Sequence, residues 1–346
     1  MSNQFMLDCT LRDGGWVNQF CFGTELMNSI LHTIETSGIE YVELGYLDEK
    51  KGSPKGRSEY SNLDAVQNNC LLEQKNPKVI YLVMIDYGKY PVELLPVHKT
   101  EGIDGIRLCF HKKDAKRAIQ MGQEILKKGY QLFMQPMVST RYTDSEFAEL
   151  MVQAQENLKG IRAFYIVDSF GSMEPKEVAE RMRLADGILR EEICLGLHTH
   201  NNMQCSFQNC AAALELGLKR DMIIDGTLSG IGKGAGNMNT EIFAGYLNQS
   251  FGKRYQIDSL KQQASHVGTS MRQETVQGFR TEYYLSAKYH LTPSYAENFF
   301  RRGCQDMEEL EELLAQVPEE KKDSFDKDTV EKILQGKINS EECCIP

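Results

Sequence analysis

The segment Cys194-Leu195-Gly196-Leu197-His198-Thr199-His200 decides the fold, because an apolar run of strand length ends there in polar side chains. A helical pattern follows over Asn202–Leu216, and Gly217 stands where a helix commonly ends in a left-handed residue. The next short apolar run is Met222–Asp225. A strand, a helix and a second strand in this order predict one unit of a parallel sheet.

The same alternation occupies the chain up to about residue 245. Eight strands are predicted, at Gln4–Thr10, Tyr41–Gly45, Val79–Ile85, Gly105–Phe110, Gln131–Pro136, Ala163–Asp168, Cys194–His198 and Met222–Asp225. Helices are predicted between them at Thr24–Ser37, Leu63–Glu73, Lys113–Lys128, Asp144–Lys159, Glu174–Leu189 and Asn202–Leu216. Eight strands in about 225 residues are typical of a (β/α)8 TIM barrel, so the predicted fold class is α/β. A doubly wound open sheet is the alternative, although only Gly14-Gly15 represents its glycine-rich first turn.

The pattern changes after Gly245. Charged helical stretches follow without a strong strand signal, at Met307–Gln316, Glu319–Lys322 and Asp328–Leu334. We therefore expect a TIM-barrel domain over residues 1–250 and a helical C-terminal extension, packed on the barrel, over residues 251–346.

Length and composition exclude several classes of protein. The chain has 346 residues, 41% hydrophobic and 25% charged, which is ordinary globular composition. Its net charge of −10 argues against nucleic acid or an anionic membrane surface as a partner. The longest apolar run, Val79–Ile85, is too short to span a membrane, and residues 1–8 do not resemble a signal peptide. The ten cysteines are scattered without a Cys-x-x-Cys pair, so we expect buried reduced thiols in a cytoplasmic protein, with Cys343-Cys344 exposed at the tail.

Polar residues at strand ends mark the C-terminal face of a barrel, where the active site of this fold lies. The first predicted strand is followed by Arg12 and Asp13, and the seventh ends in His198 and His200. Residues two apart on a strand point to the same side, so both imidazoles can reach one ion. Two imidazoles and a carboxylate leave open positions on a divalent metal for water or a substrate oxygen. The pattern therefore predicts a metal site, against the alternative of histidines satisfied within the core.

Other strand ends carry further polar groups, which are Glu43, Asp86, Arg107, Gln135, Asp168 and Ser169. The eighth strand is followed by a glycine-rich segment, Gly230–Asn237, whose glycines permit positive φ and close approach to a ligand. A phosphate-binding loop and a plain tight loop both fit this segment. The Gly-Lys-Ser/Thr ending of a nucleotide-binding P-loop is absent, which excludes an NTPase.

Three segments together resemble a known superfamily, the DRE-TIM metallolyases, which are HMGL-like proteins that include the pyruvate carboxyltransferase domains. The segments are Leu7-Asp8-Cys9-Thr10-Leu11-Arg12-Asp13-Gly14, His198-Thr199-His200-Asn201 and Gly232-Lys233-Gly234-Ala235-Gly236-Asn237. The resemblance spans roughly residues 5–250. It is nearest to the 4-hydroxy-2-oxovalerate aldolase branch, through Val167-Asp168-Ser169-Phe170-Gly171 and His200-Asn201-Asn202.

This resemblance implies a divalent-metal-dependent aldolase or lyase that cleaves or forms a C–C bond next to a 2-oxo acid. It implies Mn²⁺ or Mg²⁺ as the cofactor, bound by Asp13, His198 and His200 with Asn237 as a further ligand. Arg12 and the metal would stabilise a pyruvate enolate, so catalysis is assigned to Arg12 and Asp13. Substrate binding is assigned to Glu43, Arg107, Gln135, Asp168, Ser169 and Trp16.

One position departs from these aldolases. They carry a histidine, the catalytic base, three residues after the ligand aspartate, where this chain has Trp16, its single tryptophan. Indole cannot accept a proton, so the base is another residue or the substrate differs. Tyr46, Tyr142 and Tyr295 are candidates for proton transfer, with packing as the alternative role.

Two other functions stay open at this point. One is a Claisen-type acyltransferase on the same barrel, and the other is a non-catalytic barrel that has lost its base. The resemblance implies a small-molecule 2-oxo acid as substrate and, by family analogy, an aldehyde dehydrogenase as partner. A homo-oligomer stays open as well.

Overall fold

The computed structural model describes residues 3–70, 75–272 and 277–342, and within them nine strands form one parallel sheet. Strands β1 to β9 run over Gln4–Asp8, Tyr41–Leu47, Glu59–Tyr60, Ile80–Asp86, Gly105–Phe110, Gln131–Pro136, Ala163–Asp168, Cys194–Thr199 and Met222–Gly226. The eight predicted strands are all present, with ends shifted by at most two residues.

Eight of these strands close into a barrel. β1 pairs with β9, with Gln4 opposite Met222, and also with β2, with Leu7 opposite Tyr41. The remaining neighbours follow in the order β9-β8-β7-β6-β5-β4-β2, and the two-residue β3 extends from β2 outside the ring. Because the β1–β2 pairing closes the sheet, the predicted (β/α)8 TIM barrel is confirmed and the open doubly wound sheet is excluded.

Helices surround the barrel and continue beyond it. Helices α1 to α7 run over Thr24–Ser37, Leu63–Cys70, Ala115–Lys127, Asp144–Asn157, Pro175–Ile188, Ser206–Glu215 and Thr240–Phe251. Helices α8 to α12 run over Ile257–Arg272, Thr281–Lys288, Ser294–Arg301, Met307–Ala315 and Lys327–Glu342. The end predicted for α2, residues 71–73, lies outside the described residues. Gly38 ends α1 with a φ of 91°, which residues with a Cβ rarely adopt.

Side chains fill two layers of the barrel, because successive residues of a strand point to opposite faces. The inner layer includes Leu7, Tyr41, Leu82, Phe133, Tyr165 and Ile223. Their neighbours along the same strands face outwards and pack against the helices, and these include Met6, Val42, Val83, Leu132, Phe164 and Ile224. Strands buried on both faces explain why the predicted strands are apolar runs rather than alternating patterns.

The helices after the barrel divide between two hydrophobic cores. α8 packs on α1 and α7, and its Leu260, Ala264 and Val267 belong to the core of the barrel. Helices α9 to α12 form a second core, whose members include Leu291, Tyr295, Phe299, Leu313 and Val330. The C-terminal helices are present as predicted. The domain boundary at residue 250 stays a prediction. The structure adds that α8, which follows this boundary, packs on the barrel.

The second core is tied to the C-terminal face of the barrel. Arg141, which follows β6, donates to Oδ1 of Asp323 at 2.8 Å and to the carbonyl of His290 at 3.0 Å. It also pairs with Glu319. Residues 323–325 consequently reach the mouth of the barrel.

Two further expectations concern membrane-spanning segments and the state of the cysteines. Among the described residues, no helix combines the length and apolar character needed to span a bilayer. The eight described cysteines are all free and six are buried, whereas Cys343 and Cys344 lie outside the described residues.

Candidate metal centre and active site

Three side chains with metal-binding groups meet at the carboxyl ends of β1 and β8. Oδ2 of Asp13 lies 3.0 Å from Nε2 of His198 and 3.6 Å from Nε2 of His200. All three residues are buried, and their donor atoms lie within 4.8 Å of one another. His198 and His200 converge because they stand two positions apart at the end of one strand. Asp13 reaches them through a tight turn in which its N–H donates to the carbonyl of Cys9 at 2.8 Å.

A carboxylate behind His198 fixes the orientation of its ring. Nδ1 of His198 lies 3.0 Å from Oδ2 of Asp225, on the neighbouring strand β9. An imidazole that donates from Nδ1 to a carboxylate keeps the lone pair of Nε2 for a ligand. Nε2 is the atom that faces Asp13, so this ring is oriented as a metal-binding histidine is.

The donor set fits a divalent metal. Two buried polar atoms beside this centre have no hydrogen-bond partner among the described residues, namely Nδ1 of His200 and Oδ1 of Asn237. A buried polar atom without a partner is costly unless a bound group compensates it. Imidazole nitrogen combined with carboxylate and amide oxygen suits a first-row divalent ion.

The electrostatics keep Asp13 and His200 in ligand-competent protonation states, whereas in the metal-free site they favour the protonated form of His198. Burial opposes ionisation of Asp13, but Arg12 and the two histidines outweigh it and hold the pKa of this carboxyl well below its usual range. Burial lowers the pKa of His200 to about 4, which keeps its ring neutral. Burial alone would lower the pKa of His198 as well, yet hydrogen bonds to Asp13 and Asp225 raise it.

A network of buried charges lies beside the three ligands. Nε of Arg12 donates to Oε2 of Glu43 at 2.7 Å, and Nη1 of Arg107 donates to the same oxygen at 2.7 Å. Arg107, which is 0% exposed, also pairs with Asp225. Asp225 orients His198, and Glu43 orients Arg12. The buried guanidinium of Arg107 contacts both carboxylates and therefore links the two residues that orient His198 and Arg12.

A cavity of about 260 Å³ opens at this centre. Seven of the predicted site residues line it, namely Arg12, Asp13, Trp16, Gln135, Ser169, His198 and His200. The C-terminal extension supplies part of its wall through residues 323–325. The centre is therefore partly covered by a segment outside the barrel, which restricts water.

The known proteins that this chain resembles in sequence are named as aldolases. The HMGL-like family model matches residues 109–265. A 4-hydroxy-2-oxovalerate aldolase of Bacillus cereus is 30% identical over 258 residues, which are 72% of this chain and 71% of that protein. The aldolase of the same name from Pseudoalteromonas translucida is 29% identical over 247 residues, which are 70% and 69% of the two chains. The chain belongs to the DRE-TIM metallolyases.

Solved structures agree with this barrel fold. The N-terminal domain of a putative aldolase from Bacteroides vulgatus has a TM-score of 0.68 at 23% identity and covers 86% of this chain and 96% of that chain. A carboxyl transferase domain of Rhizobium etli pyruvate carboxylase has a TM-score of 0.67 at 14% identity, with 92% and 56% covered. As a DRE-TIM metallolyase with aldolase relatives, the protein is a carbon–carbon lyase of the metal-dependent aldolase type.

Four predicted site residues of this DRE-TIM metallolyase lie outside the cavity wall, namely Glu43, Arg107, Asp168 and Asn237. Glu43 and Arg107 belong to the buried charge network. Asp168 accepts from the N–H groups of Ser172 and Met173 at 2.9 and 3.2 Å, and burial raises its pKa to about 7. Direct substrate contact by Glu43, Arg107 and Asp168 stays a prediction, and so does metal binding by Asn237.

The three tyrosines predicted for proton transfer lie in different environments. Tyr46 lines the cavity, and the guanidinium carbon of Arg12 lies 5.9 Å from the centroid of its ring. Tyr295 donates its hydroxyl to the carbonyl of Lys321 at 3.0 Å within the second core. Tyr142 packs edge-on against Phe147. Only Tyr46 of the three is near the metal-binding groups.

Two charged residues of the cavity wall had no role in the sequence-based assignment. Nζ of Lys233 lies 5.8 Å from the ring centroid of Trp16, and burial lowers the pKa of this amine. Asp86 stands at the end of β4, and its Oδ1 is buried without a hydrogen-bond partner among the described residues. The sequence offered one signal for each residue: Lys233 lies in the glycine-rich segment, and Asp86 lies at a strand end.

The glycine-rich segment is a tight loop. The N–H groups of Ala235, Gly236 and Asn237 donate to Oδ1 of Asn202, the carbonyl of Lys233 and the carbonyl of Gly230. A Cβ on Gly236, whose φ is 90°, would lie 1.9 Å from the carbonyl oxygen of Gly230. Internal partners for these N–H groups favour the tight-loop interpretation over a phosphate cradle.

Proposed function

We propose that the protein cleaves or forms the bond between C3 and C4 of a 4-hydroxy-2-oxo acid, with pyruvate as its three-carbon product or reactant. The observation that carries the proposal is the convergence of Asp13, His198 and His200 beside the guanidinium of Arg12. In the cleavage direction, negative charge develops on the C2 oxygen, and a site for this reaction must stabilise that charge.

A divalent ion would be held by Asp13, His198 and His200, with Asn237 as a further ligand and Mn²⁺ or Mg²⁺ as the metal. When bound, the ion supplies Lewis-acid stabilisation of the oxygen that becomes negative. The two histidines supply neutral nitrogen ligands, so the net charge of the centre stays positive and favours an anionic oxo acid. The choice of Mn²⁺ or Mg²⁺ rests on the resemblance to the metallolyases, because two imidazoles with a carboxylate and an amide suit other first-row divalent ions as well.

Arg12 is positioned to stabilise the enolate oxygen. Its Nε bonds Glu43 and its Nη1 lies 3.0 Å from Oδ2 of Asp13, so two sides of the guanidinium are fixed. The residue also lines the cavity, where its remaining N–H donors face bound substrate. A cation fixed in advance requires little reorganisation when the oxygen becomes negative, and this lowers the barrier.

Gln135 supplies a neutral donor to the substrate carboxylate. Assignment of its amide from hydrogen-bond partners makes Oε1 accept from Nε and Nη2 of Arg107, at 3.1 and 2.9 Å. Its amide nitrogen then remains free for a ligand in the cavity that Gln135 lines. Ser169 is already the acceptor for the N–H of Val138 at 2.9 Å, but its hydroxyl hydrogen is available as a second donor.

A direct test measures pyruvate release from a panel of 4-hydroxy-2-oxo acids by the wild-type protein and by His200→Ala. We expect His200→Ala to lose bound metal and to lose cleavage activity by about 10²-fold or more. The exposed His266→Ala serves as the matched control and should behave as wild type. Full cleavage activity in His200→Ala would overturn the proposal. A homo-oligomer, a dehydrogenase partner and a cytoplasmic location stay predictions.

A further inference from the structure

The metal cavity adjoins a second pocket, of about 350 Å³, to which the proposed function assigns no part of the substrate. Trp16, Tyr46 and Asp86 line both spaces and therefore form the boundary between them. A substrate whose 2-oxo acid end lies in the metal cavity extends towards this boundary with its fourth carbon. The second pocket, on the far side of this boundary, then holds the rest of the substrate.

Asp86 is the carboxylate at this boundary. It ends β4, and the peptide N–H of Lys89 that follows binds its main-chain carbonyl, so the side chain takes no part in the turn. Its Oδ1 has no hydrogen-bond partner among the described residues. Asp168, the carboxylate at the end of β7, differs in this respect, because both of its oxygens accept from backbone N–H groups.

The charges around Asp86 suit a group that exchanges a proton. Burial raises its pKa above the ordinary value, although the positive charge of Arg12 and of Lys89 and a hydrogen bond from Cys109 act in the opposite direction, and Asp48 adds a small upward effect. Tyr46, which also faces it, is held protonated because burial and Asp86 raise its pKa. A carboxyl group whose pKa is raised towards the working pH transfers protons more effectively than a fully exposed carboxyl group with an ordinary pKa.

We infer that Asp86 transfers the proton of the substrate's 4-hydroxyl group, and that the hydroxylated aldehyde half of the substrate lies in the pocket beyond Trp16. The inference rests on the proposed function and names the acid–base group that Trp16 cannot provide. Asp86 is a catalytic residue in this account, because its free carboxylate oxygen contacts the 4-hydroxyl group.

The proton and electron balance of the step is complete without another reactant. In cleavage, Asp86 takes the proton of the 4-hydroxyl, the C3–C4 bond breaks, and C4 becomes the aldehyde carbonyl. The electron pair of the broken bond passes to the C2 oxygen as an enolate beside Arg12. The proton on Asp86 then moves to C3, directly or through water, and gives pyruvate. Addition follows the same path in reverse.

The lining of the second pocket indicates an aldehyde that carries hydroxyl groups rather than an unsubstituted alkyl aldehyde. Trp16, Phe20 and Tyr46 form an aromatic cluster with ring centroids 5.3 to 6.3 Å apart, and Trp16 is 50% exposed. Aromatic surface of this kind packs against the C–H faces of a polyol. Three cations and three carboxylates surround it, namely Lys51, Arg57, Lys89, Asp48, Glu59 and Asp86. Balanced charge provides donors and acceptors for hydroxyl groups without favouring an ionic ligand.

The decisive experiment compares two reactions of one variant, Asp86→Asn. Cleavage of a 4-hydroxy-2-oxo acid needs a base, whereas decarboxylation of oxaloacetate forms the same enolate without one. We expect Asp86→Asn to lose cleavage by about 10²- to 10⁴-fold and to keep oxaloacetate decarboxylation and metal content within a few-fold of wild type. Asp258→Asn, at an exposed position in α8 that lines neither pocket, is the control and should keep both reactions.

Three outcomes separate the inference from the proposed function. Wild-type rates of cleavage in Asp86→Asn would overturn the role of Asp86 alone. Loss of both reactions with loss of metal would also overturn it, because a structural role then explains the variant. A wild-type protein that decarboxylates oxaloacetate but cleaves no 4-hydroxy-2-oxo acid would overturn the proposed function together with the inference.

The aldehyde class is tested in the addition direction with pyruvate. We expect glyceraldehyde to be used with a kcat/KM at least about 10-fold above that of propanal, because propanal leaves the polar groups of the pocket unpaired. Equal values for the two aldehydes would overturn the assignment of this pocket to a hydroxylated half.

Discussion

His198 and Asp225 form a buried pair in which Nδ1 of the ring lies 3.0 Å from Oδ2 of the carboxylate. The same oxygen is bound by Arg107, so the carboxylate that orients the histidine is itself fixed by a buried cation. Asp225 also has its pKa lowered, because Arg107 and His198 outweigh its burial. The centre therefore depends on residues that do not line the cavity.

Asp225→Asn should weaken metal binding by about 10- to 100-fold, because the amide no longer fixes the tautomer and the orientation of His198. Metal titration of the apoprotein, followed by calorimetry, measures this directly. Asp258→Asn, at an exposed position in α8, is the control. Unchanged metal affinity in Asp225→Asn would show that the pair does not support the metal centre.

Arg107→Met should destabilise the fold by about 3 to 5 kcal/mol, because it leaves the buried carboxylates of Glu43 and Asp225 without their shared cation. Urea denaturation gives the free energy of unfolding. Adding Asp225→Asn to Arg107→Met should recover part of the loss, since Asp225 no longer has a guanidinium partner in the single variant, whereas Glu43 keeps Arg12. A double variant less stable than the single one would argue against this network.

Asp8→Asn should stabilise the protein at pH 8 and have little effect at pH 4.5. Asp8 is buried at the end of β1, where it accepts hydrogen bonds from Thr10 and Thr240, and burial raises its pKa to about 6. A carboxyl whose pKa is higher in the folded than in the unfolded chain stabilises at low pH, and that stabilisation is lost as the pH rises through about 6.

The expected gain for Asp8→Asn at pH 8 is about 1 to 3 kcal/mol, from a shift of about two pKa units. The amide resembles the protonated carboxyl in shape, so Thr10 and Thr240 can keep their bonds. Urea denaturation at both pH values measures the difference. An equal gain at pH 4.5 and at pH 8 would mean that ionisation of Asp8 is not its source.

Trp16 should report on ligand binding through its fluorescence, because it is the single tryptophan of the chain and lines the metal cavity. Addition of pyruvate to the metal-loaded protein should change its emission. The same addition to His200→Ala should leave the emission unchanged, since that variant lacks a ligand of the proposed metal. A pyruvate response of equal size in both proteins would place the binding elsewhere.

The barrel could be predicted from the sequence because its strands are apolar runs and six of the eight are followed by a helical pattern. The metal-binding groups could be predicted because His198 and His200 are separated by one residue at a strand end, which fixes their relative position. Asp13 could be included because it follows another strand and therefore lies at the same face of the barrel, and the resemblance of its segment supported that choice.

Other parts of the site depend on contacts between distant segments. Glu43 and Arg107 were assigned to the substrate as strand-end residues, but their partners across the barrel can be read only from the structure. The wall formed by residues 323–325 depends on the pairing of Arg141 with Asp323, which are 182 residues apart. Helices α9 and α10 were not specified individually, because α9 in particular has little amphipathic patterning and its packing is set by the second core.

The central claim is that a divalent metal at Asp13, His198 and His200 is needed for cleavage of a 4-hydroxy-2-oxo acid. The most direct measurement removes metal from the purified protein with EDTA, then follows pyruvate release before and after Mn²⁺ or Mg²⁺ is returned. The account predicts no release without metal, and recovery with about one ion bound per chain. Equal pyruvate release by the metal-free protein would contradict it.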